Sequence, residues 1–205
     1  MSDNWDKTVD IVVVGSGAGG MLSALVAAHN HADVLIVEKE KLWGGTSATS
    51  GGGIWIPGSD QAKAAGFEDN LDDAFKYVRA LSADNVPDAN IRAYVDHAAS
   101  MLRWVTAHTK VVYTSQPYPD YHAENPGGST TGFRTHLPEL FDGKLLGDDL
   151  KTQRMPSPAA SLFGCASRPS EPEVAASGKE WVTESDEPEA QRRARLRIEL
   201  ASGYF

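Results

Sequence analysis

The chain has one cysteine in 205 residues, no surplus of basic side chains and six scattered histidines. No apolar run approaches the roughly 20 residues that a membrane-spanning helix needs. A lone cysteine, Cys165, excludes an internal disulfide and fits a reducing compartment. With no histidine to pair with it, it reads as an incidental thiol rather than a nucleophile. The formal net charge is −9, and no Lys/Arg cluster is interleaved with aromatics, so no nucleic-acid partner is expected. Residues 1–10 are acidic and lack the basic start and apolar core of a secretion signal. A cytoplasmic location is the expectation, with peripheral membrane association left open. His29 and His31 flank Asn30 without a third ligand nearby, His97 and His108 stand too far apart on one helix to share an ion, and His122 reads as a loop histidine facing solvent. No metal is assigned.

What is present comes in a definite order. Ile11-Val12-Val13-Val14 reads as a buried parallel strand, and Gly15-Ser16-Gly17-Ala18-Gly19-Gly20 follows as a G-x-G-x-x-G turn. Gly15 permits the sharp turn, Gly17 lets backbone approach a pyrophosphate, and Gly20 lets a helix pack closely. Residues 19–30, rich in Ala and Leu, form that helix, whose amino end offers free N–H groups and a positive dipole to phosphate. Val34-Leu35-Ile36-Val37-Glu38 is the second strand. Its terminal carboxylate is placed to accept hydrogen bonds from ribose hydroxyls, which argues against a nucleotide bearing a 2′-phosphate.

A second glycine-rich stretch, Leu42 to Pro57, carries Gly44, Gly45, Gly51, Gly52 and Gly53 with the hydroxyls of Thr46, Ser47 and Ser50. Such a run brings backbone amides up to a phosphate or a flat ring. Trp43, Ile54, Trp55 and Ile56 at its edges read as anchors in a core rather than as parts of a flexible loop.

Taken together, Asp10 to Pro57 resembles the amino end of the fumarate reductase and 3-ketosteroid dehydrogenase flavoproteins. The resemblance implies an α/β fold, a Rossmann-like FAD-binding βαβ domain with a parallel sheet, joined to helical and irregular segments of an incomplete substrate region. It implies FAD as cofactor, with Gly15, Ser16, Gly17, Ala18, Gly19, Gly20, Glu38 and Lys39 at its ADP half and Gly45, Thr46, Ser47, Gly51 and Gly52 beside the flavin. Members that attach FAD covalently use a histidine in this segment. None stands between Lys41 and Pro57 here, so a non-covalent cofactor is implied.

Beyond Pro57, residues 58–70 read as a connector and residues 71–81 as an amphipathic helix. Asp88 or Asn90 is placed to cap a second helix, with Ile91, Tyr94, Val95, Ala98, Met101, Leu102 and Val105 as its apolar stripe to about Thr106. Residues 110–114 form a strand candidate, after which Pro117, Pro119, Pro126 and Gly127-Gly128 enforce an irregular path. That path holds Tyr118-Pro119-Asp120-Tyr121. The motif is similar to the aromatic-Pro-Asp-Tyr segment of 3-ketosteroid Δ1-dehydrogenases. The resemblance gives Tyr121 a catalytic part, hydrogen bonding a second tyrosine that takes the proton from C2 of the steroid. Read from the residues alone, the alternative is that Tyr118 and Tyr121 simply pack the loop. Phe133 interrupts the family's Gly-Arg pair at Gly132 and Arg134, and Arg134 receives no role.

The resembled family runs far longer, and the base tyrosine and the groups that bind the 3-keto oxygen come from its later parts. The chain is therefore expected to be an amino-terminal fragment, with residues 1–163 its FAD-binding part. Residues 164–205 are expected to form a low-complexity tail arising from truncation or a shifted frame, with a short basic helix over 190–200. The expected substrate is an apolar ketone, a 3-ketosteroid, and the sequence names no electron acceptor. The alternatives are a fumarate-reductase-like flavoprotein acting on a small unsaturated acid and a non-catalytic flavin-binding remnant.

Overall fold

A computed structural model describes residues 5–155, 179–182 and 195–200. In chain order its elements are β1 (Ile11–Val14), α1 (Ala18–His29), β2 (Val34–Glu38), β3 (Ile54–Trp55), α2 (Asp60–Ala64), α3 (Leu71–Leu81), α4 (Asp88–His108), β4 (Tyr113–Ser115), β5 (Thr135–Pro138), β6 (Lys179–Val182) and β7 (Arg195–Leu200), with 3-10 turns at Ser47–Thr49 and Gly143–Thr152. Two compact units result, one from Met1–Gly51 with Asp142–Phe205, the other from Gly52–Phe141.

In the first unit β1, α1 and β2 form the expected βαβ arrangement, β1 lying parallel to β2 with Ile11 opposite Val34 and Val14 opposite Val37. The Ala-rich face of α1 lets the helix sit close on the sheet. Ala24 and Ala28, one turn apart, pack with Val34 and Ile36 in a core that Val13, Met21 and Trp43 close. β2 is the buried strand. β1, expected to be buried as well, is not: Val12 is 55% and Val14 84% exposed. Its only partner among the described residues is β2, so it forms the sheet edge in the order β1-β2-β7-β6.

β7 corrects the expected basic helix. Arg195–Leu200 is a strand parallel to β2, with Val34 opposite Leu196 and Glu38 opposite Leu200, and β6 pairs antiparallel to it. Leu196, Ile198 and Leu200 alternate with charged residues, and that period of two belongs to a strand. The rest of the expected tail lies outside the described residues.

In the second unit β3 and β4 flank β5, both antiparallel to it. The helix expected over 71–81 is α3, opened by the Asn70 side chain accepting from the Asp72 and Asp73 amides. α4 differs from expectation at its start: Pro87 is the N-cap, and Asp88 lies inside the first turn, where its carboxylate meets Arg79 and the helix dipole. The expected stripe is buried at Ile91, Val95, Ala98 and Leu102. The strand expected at 110–114 forms later, at Tyr113–Ser115.

Candidate functional site

The first turn is built around a residue whose placement its neighbours dictate. Gly15 has φ +93°, a backbone that β-carbon sterics deny to most residues. Turning there buries Ser16, which is 1% exposed. The Ser16 hydroxyl donates to Glu38 Oε2 at 2.6 Å and accepts from the Gly44 amide at 2.8 Å, while the Ser16 amide donates to the same carboxylate oxygen at 2.9 Å. Ser16 thus joins the turn, the end of β2 and the start of the second glycine stretch. Burial alone raises the Glu38 pKa, but the hydrogen bonds from Ser16, Glu40 and Lys39 outweigh it, and the carboxyl is held below its ordinary range. The carboxylate expected to receive ribose hydroxyls is, in this structure, occupied by Ser16 and by the Glu40 amide at 3.1 Å.

The glycines divide by what surrounds them. A Cβ on Gly20 would stand 2.1 Å from the Gly15 carbonyl oxygen, so α1 packs on its own turn only because Gly20 has none. Gly45, φ +55°, lies so near the Gly17 backbone that a Cβ would come within 3.2 Å of it. At Gly19 nothing lies within 4 Å, and at Gly17 only Ser47 Oγ at 3.8 Å, with φ outside the left-handed region at both. Neither chain strain nor intrachain packing requires glycine there. Backbone left bare at the amino end of a helix suits an anionic ligand that must come close. Gly17 is the N-cap, α1 has no acidic residue in its first turn, and Ser47 Oγ accepts from the Ala18 amide at 3.0 Å. The residues present therefore fit a dinucleotide: a turn, bare amides, a helix dipole and a carboxylate at the second strand end.

The structure thus brings Gly15 to Gly20, Glu38, Gly45 and Ser47 together in the first unit. Lys39 and Thr46 are exposed, the Thr46 carbonyl accepting from Thr49, and Gly51 has open space at its Cβ position. Trp43 is the anchor it was expected to be, packing on the α1–β2 core while its indole N–H donates to the Asp149 carbonyl and to Thr152 Oγ1, both at 3.2 Å. Gly52 and Tyr121 belong to the second unit, Gly52 with φ +72° against Pro138.

In that second unit the Tyr-Pro-Asp-Tyr loop is held by its aspartate. Tyr121 is 99% exposed and Tyr118 51%, while Asp120 is buried. Among the described residues Tyr121 is therefore not a packing residue, whereas Tyr118 is about half covered. Asp120 accepts from Trp55 Nε1 at 2.7 Å, Arg134 Nη1 at 2.9 Å and the Ser129 amide at 2.8 Å. Trp55 stacks on Tyr77 and Tyr94, and the Tyr77 hydroxyl accepts from the His122 amide at 3.3 Å. Gly132, φ +87°, is required because a Cβ would meet the Tyr118 carbonyl at 2.4 Å. The intervening Phe133 also has positive φ and stacks on Phe67.

Sequence reasoning missed two buried polar groups. His136 is fully buried, its Nδ1 2.9 Å from the Arg134 carbonyl and its Nε2 2.7 Å from Ser59 Oγ. The Nδ1–H donates to the carbonyl, Nε2 accepts from Ser59, and burial holds the imidazole pKa below its ordinary value. Arg134 is the other, buried between Asp69 and Asp120. The signal available for it was a Gly-Phe-Arg run closing a proline-rich loop; its partners, remote in sequence, carried none.

The known proteins similar to this chain fit that geometry. Residues 10–185 match the family described as FAD binding domain. Over 143 residues the chain is 46% identical to the 3-oxosteroid 1-dehydrogenase of Mycolicibacterium smegmatis, covering 69% of this chain and 25% of that protein. It is 43% identical to the 4-oxocyclohexanecarboxylate 2-dehydrogenase of Sinomonas cyclohexanicum, with the same coverages. The crystal structure of the 3-ketosteroid delta1-dehydrogenase of Sterolibacterium denitrificans, in complex with 1,4-androstadiene-3,17-dione, superposes with a TM-score of 0.69 at 40% identity, over 78% of this chain and 28% of that one. The chain spans about a quarter of the length of these relatives. The βαβ unit, its bare glycine backbone and the matched residues lead to one conclusion: the chain belongs to the FAD binding domain family.

Proposed function

We propose that this chain is the FAD-binding part of a dehydrogenase that introduces a carbon–carbon double bond beside the ketone of a cyclic substrate, in the A ring of a 3-ketosteroid. The observation that carries the reading is the 46% identity over 143 residues to a 3-oxosteroid 1-dehydrogenase. Gly17, Gly19 and Gly20 present N–H groups to the pyrophosphate, Ser47 holds the Ala18 amide beside them, and Glu38 uses its remaining lone pairs to accept from the ribose hydroxyls. Gly45, Thr46, Ser47, Gly51 and Gly52 line the path of the isoalloxazine.

Bound FAD supplies the hydride acceptor. Tyr121 is the residue of this chain assigned to the chemistry: its phenol hydrogen bonds the tyrosine base that removes the C2 proton. At an ordinary pKa near 10 a lone phenol is a poor base at neutral pH, so the pair must share the task. A dicarboxylate substrate calls for a pair of arginines to clamp it, and Arg79, Arg92, Arg103 and Arg134, four of the five arginines within residues 5–155, are engaged with aspartates. A smaller ring is the second reading, supported by the 43% identity to an enzyme named for 4-oxocyclohexanecarboxylate. The cofactor is held without a covalent bond, and the single cysteine supports a reducing, cytoplasmic setting.

The test is an absorption spectrum, taken on the protein that joins this chain to the segment carrying the base tyrosine, after incubation with FAD, followed by anaerobic addition of androst-4-ene-3,17-dione and, separately, of 4-oxocyclohexanecarboxylate. Bleaching of bound flavin by the steroid is the expected result. Bleaching by the small acid alone favours the second reading, and flavin that binds but bleaches with neither sinks the catalytic assignment for this chain. After acid precipitation the yellow colour is expected in the supernatant; colour retained in the pellet contradicts non-covalent attachment.

A further inference from the structure

The Tyr121 loop gains little from apolar burial, since its two tyrosines face solvent, yet it is fixed by a buried group of charges. Arg134 approaches Asp69 through Nε at 3.0 and 3.1 Å and Nη2 at 2.8 Å, and it reaches Asp120 through Nη1 at 2.9 Å. Nη1 also donates to the Gly127 carbonyl at 2.8 Å. One guanidinium thus joins the residue before the α3 N-cap, the residue before Tyr121 and the far side of the loop. The excess negative charge of two carboxylates on one arginine is answered by N–H donors: Trp55 and Ser129 on Asp120, Gly58 on Asp69. Burial disfavours the charged guanidinium, but Asp69 and then Asp120 more than offset it.

Buried ion groups of this kind add little net stability compared with apolar packing of the same volume, and fixed geometry is their best-attested use. Gly127 marks the demand for fit: a Cβ there would stand 2.0 Å from the Asp73 carbonyl oxygen. We infer that Arg134, clamped by Asp69, is a positioning residue for Tyr121, acting through Asp120 one residue away. This rests on the catalytic reading of Tyr121 given above.

Arg134→Lys tests it, because an ammonium cannot reproduce the planar fork toward both aspartates. Trp55→Phe, which removes one donor to Asp120 and keeps the aromatic stack, is the milder companion. By hydrogen exchange on the full chain with FAD added, both substitutions are expected to speed exchange at residues 118–129 by about tenfold while residues 88–108 keep their protection. Unchanged exchange in the loop, or equal loosening of α4, overturns the inference. The second readout is flavin reduction by androst-4-ene-3,17-dione in Arg134→Lys, Tyr121→Phe and the double variant, each in the protein that also carries the base tyrosine. A positioning residue that acts through Tyr121 slows reduction alone and adds nothing in the Tyr121→Phe background; effects that multiply overturn it. If that protein without substitutions is not bleached by steroid, the proposed function has failed, and the exchange result alone decides the positioning role.

Discussion

Adjacent glycines in the first turn are required for different reasons, and substitution separates them. Gly20→Ala drives a methyl into the Gly15 carbonyl and is expected to cost about 1–3 kcal/mol of stability, as overpacking does. Gly19→Ala meets open space and is expected to be neutral or stabilising by up to about 1 kcal/mol, since alanine is the better helix former, while weakening FAD binding through the methyl it interposes. Urea denaturation paired with FAD titration reads both. Equal FAD affinity in Gly19→Ala and the unsubstituted chain contradicts a close approach of cofactor to that backbone. Ser16→Ala strips a partner from the Gly44 amide and one donor from buried Glu38, an expected loss of about 1–3 kcal/mol, visible as a lower denaturation midpoint. A midpoint within error of the unsubstituted chain refutes the bridging role of that hydroxyl.

At the scale of elements, the hydrogen-bonded imidazole that follows Arg134 sets a pH dependence. His136 has a depressed pKa in the folded chain, so below the ordinary imidazole value of about 6.5 the unfolded chain binds a proton that the folded one does not. Stability from this group is present above that pH and is lost as pH falls. Thermal unfolding at pH 7 and pH 5 is expected to show a lower midpoint at pH 5, and a smaller drop in His136→Gln; identical drops in the two proteins remove His136 as the cause. Glu38, also depressed, loses its contribution in a more acidic window, below the ordinary carboxylate range. Elements whose signals are local were legible in the sequence: β1, α1 and β2 follow from a β-branched run, a glycine turn and an alanine-rich face, and α3 from its apolar spacing. Asp69 and Arg134 were not legible together, because a contact across 65 residues leaves no trace in either neighbourhood. Arg195–Leu200 was misread for another reason. Its arginines drew a helical reading, although its leucines and isoleucine alternate as a strand requires.

For the whole molecule, the edge position of β1 carries a liability. Ile11, Val12 and Val14 present apolar side chains on a strand paired on one side among the described residues, the kind of edge that recruits another strand. Self-association that rises with protein concentration is expected in light scattering, and Val14→Lys is expected to reduce it. A monodisperse monomer at high concentration, or indifference to the lysine, counts against the edge as its source.

The same sheet bears on how the chain is made. β2 lies between β1 and β7, so the first unit draws its strands from two distant stretches of sequence while the second is formed by one continuous stretch. On the ribosome, residues 52–141 hold everything their own sheet and helices need as soon as they emerge, whereas β2 must wait for β7, whose Leu196 pairs with Val34. The nascent nucleotide-binding unit thus spends longest with one edge of β2 open, and that interval is when a chaperone would have most to shield.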